Sequence, residues 1–99
     1  MSTYFVSRHP GALLWAQAEG LPIDEVLRHL DVGCIRAGDT VIGTLPVHLA
    51  CAVCDAGARL LYLVLALPAE ARGRELGLED MYRYGAELVE YRVSRVEAA

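Results

Sequence analysis

Apolar positions along this chain change their spacing several times, and the changes divide it into alternating strands and helices. Tyr4, Phe5 and Val6 follow Thr3 as a short apolar run, which predicts a strand over Thr3–Val6. The segment Gly11–Glu19 consists of good helix formers, with Pro10 marking its start and Gly20 its end. A second short helix is expected over Pro22–His29. The stretch HLDVGCIRAGD, rich in glycine and acid, reads as irregular or as carrying a short strand. Strand character returns over Asp39–Gly43, and Thr44-Leu45-Pro46 then leads into a helix over Val47–Ala56 that Gly57 stops. The β-α pattern thus occurs twice.

Leu60–Leu67, LLYLVLAL, is almost continuously apolar, as in a strand covered on both faces of a parallel sheet. It ends at Pro68. The polar loop PAEARGREL and a short helix from about Leu78 to Tyr84 follow. Near the end, Val89, Tyr91 and Val93 alternate with Glu90, Arg92 and Ser94, which marks a strand with one wet face. The expected architecture is one α/β domain over 1–99, a small Rossmann-like fold with a mainly parallel central sheet flanked by helices. In such a sheet the carboxyl ends of the strands share one rim, and ligands bind there.

Composition narrows the function. Ninety-nine residues make one domain with a modest core. The hydrophobic fraction is 55% and the mean hydropathy +0.31, but no apolar run approaches the roughly 18 residues a membrane span needs. The apolar surplus points either to self-association or simply to many buried alanines and valines. MSTYFVSRHP lacks the order of features of a signal peptide, so a cytoplasmic location is expected. A net charge of −4 argues against long nucleic acid as a partner, because such binding needs a broad cationic face. All nine basic residues are arginine, which reflects either a genome rich in G and C or a use for the guanidinium fork on phosphate. Cys34, Cys51 and Cys54 form no even disulfide set. Cys51 and Cys54 fall inside a predicted helix with no second pair to complete a zinc site, so no metal and no cofactor is expected.

Candidate chemistry concentrates at the strand-to-helix junctions. After the first strand come Ser7, Arg8 and His9, then Pro10 and Gly11 opening the helix. After the second come Gly43, Thr44, Leu45 and Pro46, with His48 one turn into the next helix. After the third come Glu70, Arg72 and Arg74 around Gly73. Two of these junctions open helices whose free N–H groups and positive dipole ends suit an anion. Structural roles compete with this reading: Ser7 and Thr44 suit helix caps, His48 a partly buried position, and the arginines of the last loop a solvated surface. Arg8 beside His9 is the most telling pair, offering one group that stays charged and one that exchanges a proton near neutral pH. Glu70 fits either an ion pair with Arg72 or a general base.

The strings YFVSRHPGA, GDTVIGTLPVHLA and LALPAEARGREL, followed by Asp80-Met81 and Gly85-Ala86, closely resemble small CRISPR-associated accessory proteins of the Csx group, its type numbered sixteen. The resemblance covers nearly the whole chain. It implies a CARF-like version of the Rossmann-like fold and a place beside type III CRISPR effectors, which make cyclic oligoadenylate messengers. Members are regarded as ring nucleases or cyclic-nucleotide binders.

The implied ligand agrees with an anion pocket. Cyclic tetra-adenylate carries four phosphates and two-fold symmetry, so a homodimer presenting one pocket from each chain would match it. Cleavage by a ribose 2′-hydroxyl needs no metal when the attack is held in line. On this reading Arg8 binds the scissile phosphate, His9 transfers the proton, and Ser7 and Thr44 with nearby N–H groups hold the phosphate. Arg72 and Arg74 close over it, and His48 is the reserve acid or base. The product is linear oligoadenylate with a 2′,3′-cyclic phosphate. The same pocket also suits a binder that does not cut, a sponge or sensor, or a nucleotide-processing enzyme of another context.

Overall fold

The computed structural model describes residues 1–97, which form a five-stranded sheet with helices on both faces. In chain order the elements are β1 (Thr3–Val6), α1 (Pro10–Ala18), β2 (Glu25–Leu27), β3 (Thr40–Gly43), α2 (Val47–Asp55), β4 (Arg59–Val64), α3 (Leu78–Arg83) and β5 (Glu87–Tyr91). Single 3-10 turns lie at Val32–Cys34 and Ala69–Ala71. The strand order is β2-β1-β3-β4-β5. The first four strands are parallel, and β5 runs antiparallel to β4. This is the Rossmann-like α/β fold that the alternating pattern implied.

The core has two halves, one on each face of the sheet. Phe5, Ile42 and Leu63 point to one face and pack with Ala12, Trp15 and Ala16 of α1 and Met81 of α3. Val6, Val41 and Leu60 point to the other and meet Ala50 and Val53 of α2 and Ile35. β4 is therefore buried from both sides, as its unbroken apolar run requires. Helices of nine residues are marginal in water by themselves. What holds them is burial of such side chains, each contributing about 1.5–3 kcal/mol.

One predicted element differs in kind. Pro22–His29 is not a helix; its residues Glu25–Leu27 form β2, paired in parallel with Tyr4, Phe5 and Val6. Three residues are too few to show a strand period, and the acidic Asp24 and Glu25 after a proline imitate a helix start. The fold decides otherwise, because α1 covers one face and returns the chain to the open edge of β1. Asp24 seals that return: its carboxylate accepts from the Thr3 N–H at 2.7 Å, and its own N–H donates to the Thr3 carbonyl at 2.8 Å. Smaller differences follow from pairing. β4 ends at Val64 rather than Leu67, and β5 ends at Tyr91, so Val93 packs beyond the strand. Leu88 packs against the half of the core beneath α1 and α3, and its neighbour Val89 is half-buried as well, so β5 has no single wet face.

Two glycines permit close approaches near the rim. Gly11 is buried at the start of α1, where a Cβ would collide with the backbone of Leu76 and Gly77. Gly43, with φ +149°, ends β3 where a Cβ would run into the Val6 carbonyl. The ends of β1 and β3 consequently lie tightly together.

Candidate functional site

Because β2, β1, β3 and β4 are parallel, their carboxyl ends share one rim. From β1 the chain crosses one face to β2, then returns past β1 to β3 and continues over the opposite face to β4. The point where the winding reverses lies between β1 and β3. Crevices outside such a switch point are where open α/β sheets take ligands.

The junction after β1 is a tight polar turn. The Ser7 N–H donates to the Leu27 carbonyl at 3.1 Å, extending the β1–β2 ladder by one rung. Its hydroxyl oxygen accepts from the His9 N–H at 3.1 Å. Ser7 does not cap α1: the capping position is His9, and no side chain accepts from the first turn. Thr44 does not cap α2 either, since Pro46 holds that position and the Thr44 hydroxyl donates instead to the Leu63 carbonyl at 3.2 Å. The Ser7 hydroxyl hydrogen thus donates to no acceptor among the described residues, whereas that of Thr44 is committed to β4. Both helices present uncapped amino ends to the rim.

Two depressions flank Arg8. One, of about 220 Å³, is lined by Ser7, Arg8, Arg28, His29, Thr44 and Pro46, with Leu45 also on its wall. The other, of about 400 Å³, is lined by Arg8, His9, Gly73, Arg74, Glu75 and Leu76. Arg8 and His9 are exposed between them. Arg74 forms an ion pair with Asp80 at 3.3 Å and lies 3.4 Å from the Tyr84 hydroxyl, so it is anchored to α3. A chain with net charge −4 therefore concentrates Arg8, Arg28 and two histidines on one short arc.

Other expected residues fall elsewhere. Gly11 is a packing residue under the rim, and Gly43 forms its tight floor. Pro10 fixes the first position of α1. His48 lines a separate cavity of about 360 Å³ with Cys51, Asp55 and Arg95, so it does not join Arg8 and His9. Glu70 and Arg72 are exposed and line neither depression at the rim, and they form no ion pair with each other; the ion pairs among the described residues are Arg59–Glu90 and Arg74–Asp80. The loop after β4 meets the site through Leu67, Ala71 and the run Gly73–Leu76. Among the described residues, no three His, Cys, Asp or Glu side chains are grouped to hold a metal ion, and no helix is long and apolar enough to cross a membrane.

Arg28 and His29 escaped the sequence reading. Their segment has the look of a helix in sequence, whereas a parallel β2 delivers both to the rim directly after Leu27. The signal that would have found them is topological: a β-α unit whose helix covers the sheet needs a returning strand, and Val26-Leu27 is the apolar pair available for it.

The family model described as "Putative CRISPR-associated protein (Cas_VVA1548)" matches residues 4–94. The chain belongs to this family. The match takes in both depressions and all of the sheet but Thr3, so the rim just described lies wholly inside the matched region. No curated protein and no solved structure matches the chain.

Proposed function

We propose that this CRISPR-associated protein is a ring nuclease that binds cyclic oligoadenylate, with cyclic tetra-adenylate as the preferred ring, and opens it to linear oligoadenylate bearing a 2′,3′-cyclic phosphate. The observation that supports this most is the position of Arg8 between two depressions at the switch point, with His9 next to it. A phosphodiester has a charged centre with a nucleoside on either side, and that arrangement offers a cation between two recesses. The Arg8 guanidinium would stabilise charge on the phosphate oxygens. The Ser7 hydroxyl and the open amino end of α1 would add donors.

In the reaction the ribose 2′-oxygen attacks the neighbouring phosphorus in line while His9 takes its proton. The bond from phosphorus to the 5′-oxygen breaks, and that oxygen takes a proton from solvent. No oxidant or further reactant enters the balance. The ring's two-fold symmetry is met by a homodimer carrying one rim per chain. The product, freed of its cyclic form, no longer acts as the messenger of type III signalling.

Incubating the protein with cyclic tetra-adenylate in EDTA, with products separated by chromatography beside a binding measurement, tests this directly. Linear product with cyclic phosphate is expected. Tight binding with an unaltered ring would make the protein a sponge or sensor, and neither binding nor cleavage of any ring size would refute the reading.

A further inference from the structure

We propose that the 220 Å³ crevice between the ends of β1, β2 and β3 is a phosphate site gripped from two sides by guanidinium groups, with Arg28 of the segment after β2 facing the same space as Arg8. This deepens the nuclease reading by adding a recognition residue, and it rests on that reading only for the identity of the larger ligand.

Three observations carry it. The hydrogen bond from the Ser7 N–H to the Leu27 carbonyl continues the ladder past both strands, which fixes Arg28 beside the Ser7–Arg8 turn. No aspartate or glutamate lines the crevice, although the chain holds 13 of them. Neither Arg8 nor Arg28 forms an ion pair among the described residues, whereas Arg59 and Arg74 each hold a carboxylate. Two unpaired guanidinium groups sharing a small recess repel one another, and an anion between them reverses the sign of that interaction. His29 and the Ser7 hydroxyl line the same recess. Donors approaching from several sides suit the tetrahedral oxygens of a phosphate better than a planar carboxylate, and the guanidinium fork matches phosphate geometry.

The test uses the full chain and follows backbone amide signals during titration with inorganic phosphate, then measures affinity for cyclic tetra-adenylate by calorimetry. Wild-type protein should shift at Ser7, Arg8 and His29. Losing a hydrogen bond to a charged group should weaken binding of cyclic tetra-adenylate about tenfold to a hundredfold in Arg28→Ala, with partial recovery in Arg28→Lys. Arg92→Ala, at the opposite end of the sheet, should match wild type. Amide spectra of each variant report whether the fold is kept, which is expected because Arg28 is exposed. The proposal falls if wild type shows no phosphate shifts at the rim. It also falls if Arg28→Ala binds as Arg92→Ala does, while the nuclease reading survives that result. Phosphate binding that depends on Arg28, without binding of a cyclic oligoadenylate of any ring size, would uphold the anion site and refute the nuclease reading instead.

Discussion

The Tyr62 hydroxyl donates to the backbone carbonyl of Leu45 at 2.9 Å, so β4 fixes the junction that follows β3. The Thr44 hydroxyl makes a second tie from that junction to β4 through the Leu63 carbonyl. The Thr44–Pro46 wall of the crevice is therefore held by side-chain hydrogen bonds to its neighbouring strand. Removing one oxygen in Tyr62→Phe should cost about 1 kcal/mol, since a part-buried carbonyl loses its donor. In a domain of this size that corresponds to a fall in Tm of about 4–8 °C. An unchanged Tm would show that water replaces the phenol without loss.

Gly11 supports the other side of the rim. A methyl group there meets backbone rather than a flexible side chain, so neither Leu76 nor Gly77 has a rotamer with which to yield. Gly11→Ala should destabilise by about 1–3 kcal/mol despite alanine's better helix propensity. Chemical denaturation would measure it, and a more stable variant would mean that the chain before α3 moves away freely.

These two sites also show how much of the fold is legible in the sequence. Gly11 and the junction Thr44-Leu45-Pro46 were visible as punctuation between strand and helix, because Pro10, Gly20 and Pro46 act locally. Their actual duties are tertiary: Gly11 touches residues 65 and 66 positions later, and Thr44 bonds 19 positions later. Spacing carries no trace of such partners. The parallel rim was legible because the unbroken apolar run of β4 demands two covered faces. β2 was not, since its pairing energy comes from the edge of β1 and from Asp24, and three residues show no period. With β2 unread, Arg28 and His29 were lost too.

Asp39 ties the amino end of β3 to the start of the chain. It is 4% exposed, and its carboxylate accepts from the Ser2 and Arg36 N–H groups, each at 2.9 Å. Those bonds favour the charged form, the Ser2 bond most, and hold the carboxyl below its ordinary value. A group whose folded pKa is depressed contributes stability above its unfolded pKa and loses it as pH falls through the folded value. Acid should therefore destabilise the protein from about pH 4 downward, where aspartate ordinarily titrates. Asp39→Asn should lower Tm at pH 7 and flatten the decline below pH 4. Equal acid slopes for the two proteins would remove Asp39 from the effect.

Arg8 and His9 separate binding from chemistry. Arg8 borders both depressions, so its removal should weaken affinity for cyclic tetra-adenylate and slow turnover together. His9 borders only the depression shared with Arg74, and its N–H, not its ring, builds the turn by donating to Ser7. Its backbone bond survives substitution, so His9→Ala should keep the turn, the fold and most of the affinity. On the proposed mechanism what it removes is the proton acceptor for the 2′-hydroxyl, a contribution typically worth about 10²–10⁴-fold in rate. Single-turnover cleavage with saturating protein reads that loss apart from affinity. A His9→Ala variant that binds and cleaves like wild type would exclude the imidazole from the reaction. A variant that neither binds nor keeps its amide spectrum would show the ring to be structural, and turnover lost at full affinity would place His9 at the reacting oxygen.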